Sequence, residues 1–279
     1  MRIIAMSSYV PSYRIIGDWA ARNGHEVVLV VTTPPQPGRY GTGGTPFVEA
    51  LADEVSVLTT GKLRTTAAAT VEALQPDLVV SAAFPRLLPA EVLRIPTYGA
   101  LNLHPSRLPE GRGPNPARVI YEGSDTVDVT VHRTDAEFDT GAVMSRRQAP
   151  LPTELSAATL FQSWVDLLSD ALDEAGAKVF AGEPGLIQPD DGASYAGVFT
   201  AAEAELDLTE PTATIVRKVA ALNLIAPRAT ATVQGEQVLV SGATALALPG
   251  TAAPGTVLAK HPDGWDVRTG DGAVRITRG

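Results

Sequence analysis

Three polar residues have the types and positions that acid–base chemistry requires. Asn102 and His104 occur in "ALNLHP", and Asp139 occurs in "AEFDTGAVM". An asparagine amide can donate a hydrogen bond to a developing oxyanion, and an imidazole can carry a proton near neutral pH. A carboxylate can orient that imidazole and stabilise its charged form. A structural hydrogen-bonding role for the Asn102–His104 pair stays open at this point.

The triplet Asp139-Thr140-Gly141 also matches the sequence around an aspartic-protease carboxylate. Such a protease needs two carboxylates that share one proton, because like charges a few Å apart cannot both ionise. The sequence contains no second Asp-Thr-Gly, and its 279 residues far exceed the length of a protease that builds its site by dimerisation. The sequence therefore argues against a protease, and Asp139 needs a different partner.

Short apolar runs predict the strands that would position these residues. They cover residues 2–8, 25–32, 55–60, 77–84 and 99–105, and the segments between them are long enough for helices. Near-continuous apolar strands are typical of a parallel sheet covered on both faces. Alternation along the strand at 99–105 points Asn102 and His104 to one side. Ligands bind beyond the carboxyl ends of such strands, so the polar pair lies where a site is expected.

The helix and loop signals in the rest of the sequence predict a Rossmann-like α/β fold with helices on both faces of the sheet, followed by a second domain. Ser12 is predicted to cap a first helix that Gly24 ends, and Ser156 precedes a helix with an apolar stripe. A Gly, Pro and Asp cluster at 182–192 marks the passage to another unit. We therefore predict a catalytic domain at 1–200 and a small β-barrel-like (OB-like) domain at 201–279, with hairpins at its Asp-Gly pairs.

Composition sets outer limits on function. The chain has a mass of 29.1 kDa with 44% hydrophobic residues, enough for a sizeable core. It has no cysteine and only four histidines, none of them paired at zinc-site spacing, so no metal is expected. The net charge of −9 argues weakly against a large polyanion as partner. No run resembles a signal peptide or a membrane span, so we expect a cytoplasmic protein.

The stretch "LNLHPSRLPEGRGPNP", followed by "TVHRTDAEFDTGAVM", resembles the 10-formyltetrahydrofolate-dependent formyltransferase family. "MRIIAMSS" is similar to the family's first strand, and "SAAFPRLLP" is similar to its fourth-strand loop. The tail "EAELDLTEPTATIVRKVAALN" resembles the C-terminal domain of methionyl-tRNA formyltransferases. The resemblance covers essentially the whole chain. It implies an enzyme that transfers a formyl group from 10-formyltetrahydrofolate to an amine.

The resemblance also assigns roles to individual residues. Asn102, His104 and Asp139 match the family's catalytic triad, in which Asn102 would bind the oxyanion, His104 would move the proton and Asp139 would orient the imidazole. The pterin ring is expected against backbone groups of three segments, so their side chains can vary. These residues are Arg86, Leu87 and Leu88, then Ser106, Leu108 and Pro109, and then Asp135, Ala136, Glu137 and Phe138.

The formyl acceptor is predicted to be a small primary amine, such as an amino acid, an amino sugar or a natural-product precursor. Enzymes that act on charged tRNA carry a basic loop after the second strand, but here Arg39 is the only base in residues 32–54. The tail from Asp207 onward is nearly neutral. The glycine-rich stretch at 41–44 is a weak phosphate signal, because it lacks a strand-to-helix context.

Three alternatives remain for the chain as a whole. A methionyl-tRNA formyltransferase would share the fold and triad, and a formyltetrahydrofolate hydrolase would use water as the acceptor. A binding protein without activity could keep the fold, although all three triad residues are present. His132, on the strand that leads to Asp139, is a further candidate for contact with the acceptor. The sequence does not determine the oligomeric state.

Overall fold

The structure, a computed structural model, describes residues 1–34, 47–51 and 53–279. Its strands, in chain order, are β1 (Arg2–Ser7), β2 (Glu26–Thr32), β3 (Val57–Thr59), β4 (Leu78–Ala82), β5 (Ala100–His104), β6 (Thr126–Arg133), β7 (Val143–Pro150), β8 (Ala229–Val233), β9 (Glu236–Leu246), β10 (Val257–His261), β11 (Gly264–Arg268) and β12 (Ala273–Arg278). Its α-helices are α1 (Val10–Arg22), α2 (Phe47–Leu51), α3 (Ala68–Leu74), α4 (Ala90–Leu93), α5 (Ala117–Glu122), α6 (Ala157–Phe180), α7 (Ala201–Ala204) and α8 (Thr212–Leu222), and a π-helical turn at Leu63–Ala67 leads into α3. Arg39 and the glycine-rich stretch at 41–44 lie outside the described residues.

The first seven strands form one sheet in the order β3-β2-β1-β4-β5-β6-β7. Strands β1 to β5 run parallel, and β6 runs antiparallel to β5. The five predicted strands correspond to β1 through β5, so the predicted Rossmann-like, mostly parallel sheet is confirmed. The reversal at β6 matters for the site, because it brings the start of the loop after β6 back beside β5.

Apolar residues on the central strands form the core of this sheet. Every residue of β4 is buried, as is every residue of β1 after the first. Ile4, Met6 and Val79 belong to one buried cluster that also includes Val71 of α3. Burial on both faces accounts for the near-continuous apolar runs in the sequence.

Helix α1 begins earlier than the sequence predicts. Its N-cap is Tyr9, without a side-chain cap, and Pro11 lies in its first turn. Proline suits this position because the first turn does not use its N–H groups and the fixed φ is already helical. The prediction that Ser12 caps this helix is therefore wrong. Ser156, in contrast, accepts a hydrogen bond from the Thr159 amide at 3.1 Å before α6, as a cap does.

The last five strands form a separate antiparallel sheet in the order β10-β11-β12-β9-β8. Strands β10 and β11 are joined by a tight hairpin in which His261 pairs with Gly264. Helix α8 packs on β9 and on α5 through its buried apolar side. The C-terminal part predicted to be β-rich is therefore an antiparallel sheet with one packed helix.

By its internal contacts the chain divides into two compact units. Unit 1 comprises residues Met1–Pro114, Asp128–Gln148 and Val165–Tyr195, and unit 2 comprises Asn115–Val127, Ala149–Trp164 and Ala196–Gly279. Within the part of the chain that the structure describes, no helix has both the length and the apolar character that crossing a bilayer requires.

Candidate active site

Strand β5 carries Asn102 and His104 at the edge of the parallel part of the sheet. Leu101 and Leu103 are buried, and Asn102 is half-buried, as the alternation along the strand predicts. Antiparallel pairing with β6 places Asn102 directly opposite His132, and His104 opposite Thr130. Paired residues on adjacent strands project from the same face, so β6 adds a second histidine to the face that carries the polar pair.

Asp139 lies in the loop after β6, in a conformation that explains the Asp-Thr-Gly triplet. Its φ of 58° is in the left-handed region, which aspartate tolerates better than most residues. Two residues later, a β-carbon on Gly141 would lie 1.8 Å from the backbone oxygen of Arg133. Only glycine therefore allows the loop to pack this closely on the end of β6. The triplet forms a tight return of the chain, which aims the Asp139 carboxylate back at β5.

The three predicted catalytic side chains converge on one carboxylate oxygen. The Nδ2 of Asn102 lies 3.3 Å from Oδ1 of Asp139, and Nδ1 of His104 lies 3.6 Å from the same oxygen. Nε2 of His132 is also 3.6 Å from it. A separation of 3.6 Å is too long for a hydrogen bond, but such contacts commonly shorten when substrate binds. The structure thus brings together Asn102, His104 and Asp139, and adds His132 to them.

Backbone groups of the loop after β5 hold the two ionisable members of this cluster. Nε2 of His104 donates to the carbonyl oxygen of Gly111 at 2.9 Å. The backbone N–H of Gly113 donates to Oδ2 of Asp139 at 2.8 Å. Because Nε2 carries a hydrogen, the other ring nitrogen of His104 is the one free to accept a proton, and it faces Asp139.

Burial and charge act in opposite directions on these groups. Burial of the Asp139 carboxyl would raise its pKa, but His104, His132 and the Gly113 amide together lower that pKa to about 2. Burial lowers the pKa of His104, and the Asp139 carboxylate partly opposes this effect. Near neutral pH the site therefore holds an ionised carboxylate beside a neutral imidazole, which can accept a proton and gains a counter-ion when it does.

The residues predicted to contact the pterin lie in three loops of the same unit. Arg86 and Leu87 are exposed after β4, whereas the Leu88 side chain is buried in the core cluster. Ser106 and Leu108 are buried, and the bond between Leu108 and Pro109 is cis. In the third loop Ala136, Glu137 and Phe138 are exposed, and Oδ1 of Asp135 accepts hydrogen bonds from the Glu137 amide and the Thr140 hydroxyl. Their role in binding stays a prediction.

Gln188 is a site residue that the sequence analysis missed, because it lies in the cluster interpreted as a linker. Its side chain is 7% exposed, and its Nε2 donates to the carbonyl oxygens of Asp139 at 2.9 Å and Gly141 at 2.8 Å. Its Oε1 accepts from Nε and Nη2 of Arg112. Gln188 thus ties the Asp139 loop to the loop that carries Gly111 and Gly113. A polar residue between Ile187 and Pro189 gives no sequence signal of such a contact.

We expect Gln188→Leu to weaken both stability and formyl transfer. The change leaves the buried carbonyl groups of Asp139 and Gly141 without this donor, and each unsatisfied group costs about 1–3 kcal/mol. Denaturant unfolding should report the lost stability, and steady-state kinetics should report a lower kcat. Gln237→Leu, at an exposed position on β9, is the matched control and should change neither quantity appreciably. An unchanged kcat in Gln188→Leu would contradict its role in holding Asp139.

The other histidines of the described chain lie away from this cluster. His25 packs edge-to-face against Trp19 and Phe180, and His261 lies 3.1 Å from a carboxylate oxygen of Asp266 in the C-terminal sheet. Within residues 1–34, 47–51 and 53–279, no group of three or more His, Cys, Asp or Glu side chains is arranged to hold a metal ion.

Comparison with known families identifies the family of this chain. The family model described as "Formyl transferase" matches residues 1–175, and the model of the formyl transferase C-terminal domain matches residues 199–279. The chain belongs to the formyltransferase family. The family predicted from "LNLHPSRLPEGRGPNP" and its companion motif is therefore confirmed, and the formyltransferase chain is an enzyme of that family.

Individual relatives span nearly the whole formyltransferase chain. It is 36% identical over 291 aligned positions to a methionyl-tRNA formyltransferase of Stenotrophomonas maltophilia (strain R551-3), covering 99% of this chain and 91% of the relative. HypX from Aquifex aeolicus, solved with tetrahydrofolic acid, superposes with a TM-score of 0.74 at 24% identity over 99% of this chain, which spans 43% of HypX. WlaRD, a sugar 3N-formyl transferase, superposes with a TM-score of 0.66 at 14% identity, covering 100% of this chain and 97% of WlaRD. At these identities the two structures show a common fold.

Proposed function

We propose that this formyltransferase moves the formyl group of 10-formyltetrahydrofolate to a small primary amine, with Asn102, His104 and Asp139 as its catalytic residues. The observation that carries the proposal is the convergence of the Asn102 amide and the His104 imidazole on one oxygen of the Asp139 carboxylate, at 3.3 and 3.6 Å. The confirmed family supplies the reaction class, and HypX and WlaRD were both crystallised with folates. We also propose a catalytic domain at 1–200 and a C-terminal domain at 201–279.

The reaction needs one proton transfer and stabilisation of one transient negative charge. A bond forms between the amine nitrogen and the formyl carbon, and the bond from that carbon to the folate nitrogen breaks. The proton lost by the amine ends on the folate nitrogen. His104 can accept this proton at Nδ1 and pass it on, because the imidazolium formed there faces the Asp139 carboxylate. Asn102 can donate its amide to the oxyanion, and no covalent enzyme intermediate is needed.

For the folate we propose the three loops predicted above as contacts. Arg86 to Leu88, Ser106 with Leu108 and Pro109, and Asp135 to Phe138 all belong to unit 1, which also carries the triad. Backbone donors and acceptors suit a flat ring with polar edges, so the exposed Arg86 and Glu137 side chains need no catalytic role. Leu88 packs in the core cluster, so its side chain is not expected to contact the ring.

The small-amine proposal is supported by the contacts of three C-terminal basic residues. Lys218 lies 2.7 Å from both carboxylate oxygens of Glu210, and Arg275 pairs with Asp266. The Arg268 side chain is turned inward and donates to the backbone oxygens of Leu248, Pro249 and Gly272. Affinity for nucleic acid comes largely from lysine and arginine that neutralise phosphates, and these three are already engaged within unit 2.

Methionyl-tRNA is the second candidate acceptor, and the 36% identity to methionyl-tRNA formyltransferases over nearly the whole chain favours it. An amine group on an amino acid, an amino sugar or a natural-product precursor presents the same nucleophile as methionyl-tRNA. The two proposals differ in the rest of the acceptor molecule. An assay can therefore distinguish them by which substrate is formylated and by how strongly substrate binding depends on salt.

A direct assay decides between the acceptors. The protein is incubated with 10-formyltetrahydrofolate and either methionyl-tRNA or a panel of primary amines, and the formylated product is identified by mass spectrometry. We expect turnover on a small amine that changes little with salt. Turnover on methionyl-tRNA alone, with affinity that falls steeply as salt rises, would establish the second candidate. If no amine is present and formate is released at the same rate as tetrahydrofolate, the protein is a hydrolase instead.

A further inference from the structure

The Asn102 amide is fully used before any substrate arrives. Its Nδ2 lies 3.1 Å from Nε2 of His132 and 3.3 Å from Oδ1 of Asp139. An amide nitrogen has two hydrogens, so these two acceptors account for both of them. An oxyanion can therefore receive a hydrogen bond from Asn102 only by replacing one of the two.

The hydrogen-bond network fixes the orientation of both side chains. Nδ1 of His132 lies 2.8 Å from the carbonyl oxygen of Arg133, which can only accept, so Nδ1 carries the ring hydrogen. When that hydrogen is the only one on the ring nitrogens, Nε2 is an acceptor and faces the Asn102 amide. Turning this amide over would direct its oxygen at two further acceptors, the Nε2 lone pair and the Asp139 carboxylate. The orientation with Nδ2 toward both is therefore the favourable one.

The two acceptors differ in how easily they release Asn102. The bond to Asp139 is the longer of the two, and Asp139 keeps the Gly113 amide on its other oxygen. Asp139 also gains a new partner when His104 becomes protonated 3.6 Å away. The His132 ring is 2% exposed and held by Arg133 and by strand pairing, so it has no comparable replacement for the amide.

We propose that His132 is a positioning residue that holds one hydrogen of the Asn102 amide and thereby aims the other at the oxyanion. The inference rests on the proposed function, in which Asn102 donates to the reacting carbonyl. In the free enzyme the aimed hydrogen is held by Oδ1 of Asp139. During formyl transfer this hydrogen, still bonded to Nδ2, donates to the oxyanion instead. The hydrogen bond to His132 stays and prevents the amide from rotating.

Two kinds of substitution at position 132 test this role. His132→Leu removes the acceptor but still fills the buried space with an apolar side chain. His132→Gln keeps an acceptor near the position of Nε2. We expect His132→Leu to lower kcat by about 10-fold or more, limited by the roughly 10²–10³-fold cost of losing the donor itself. His132→Gln should recover most of that loss, and KM for the folate should change little in either variant. Should His132→Leu fail to fold, the unbranched His132→Met removes the acceptor with a more adaptable side chain.

The decisive measurement repeats the substitution in an Asn102→Ala background. If His132 acts through Asn102, His132→Leu costs nothing further there, because residues that act as a unit are not additive. A purely structural histidine would lower activity equally in both backgrounds and would not be rescued by glutamine; either result overturns the inference. So does full activity in His132→Leu when Asn102→Ala is impaired. Absence of formyl transfer by the unmodified enzyme would overturn the proposed function, and this inference with it.

Discussion

His104→Gln is expected to lower kcat for formyl transfer by about 10²–10⁴-fold, the usual contribution of a positioned acid–base group. Glutamine can still donate to the carbonyl oxygen of Gly111, which Nε2 of His104 does at 2.9 Å, so the loop after β5 should stay in place. What glutamine cannot do is accept the amine proton beside Asp139 and release it. The change should therefore appear in kcat and leave KM for the folate nearly unaltered.

The pH dependence of the same variant supplies a second measurement. The base form of His104 is the neutral ring, and burial lowers its pKa below the ordinary value of 6.5. In the unmodified enzyme, kcat/KM for the folate, measured at saturating amine so that ionisation of the free amine does not contribute, should therefore fall as the pH decreases through a value below 6.5. His104→Gln should lose this acid limb. His261→Gln, in the C-terminal sheet, is the matched control and should keep both the rate and the limb. An acid limb that survives in His104→Gln would assign it to another group.

Asn102→Ala is expected to lower kcat by about 10²–10³-fold, the typical cost of removing one oxyanion donor. The alanine also leaves Oδ1 of Asp139 without its 3.3 Å partner, so part of the loss reflects a less ordered carboxylate. The folate affinity should change less than the rate, because the donor acts on charge that develops during transfer. Steady-state kinetics with the identified amine would separate the two effects.

Asn115→Ala provides the comparison for a generic loss of an asparagine hydrogen bond. The Asn115 amide donates to the carbonyl oxygen of Gly197 at 3.1 Å, within unit 2. Its removal should lower the free energy of unfolding by roughly 0.5–1.5 kcal/mol and leave turnover nearly unchanged. Full activity in both Asn102→Ala and His104→Gln would instead indicate that the chain uses other groups, or that it keeps the fold without the proposed chemistry.

Most of the fold could be predicted, because its central strands are buried on both faces and so have near-continuous apolar sequences. All five predicted strands are found as β1 to β5, and they run parallel to one another. The start of α1 could not be placed as well. Both Ser12 and Pro11 mark helix beginnings, and only the structure shows that Pro11 already lies in the first turn. The order of strands in the sheet is likewise set by tertiary contacts that local patterns do not record.

Only part of the site could be predicted, from the residue pattern of single strands and from the family resemblance. Alternation along β5 put Asn102 and His104 on one side, and the motif resemblance linked them to Asp139. The pairing of Asn102 with His132 depends on the register between β5 and β6, which no single strand reveals. Gln188 lies beyond α6 in a stretch rich in Gly, Pro and Asp, and its contacts reach back to Asp139 and Arg112. A composition typical of linkers conceals this tertiary role.

The contacts of Gln188 limit how far the chain can be shortened without disturbing the candidate site. A fragment that stops at Phe180, the end of α6, would retain Asn102, His104 and Asp139 and would lose the side chain that anchors the Asp139 loop. It would also lose Ser194, whose hydroxyl accepts from the Gly111 amide at 2.9 Å. A shortened chain should therefore keep every residue up to Tyr195, where the last segment of unit 1 ends.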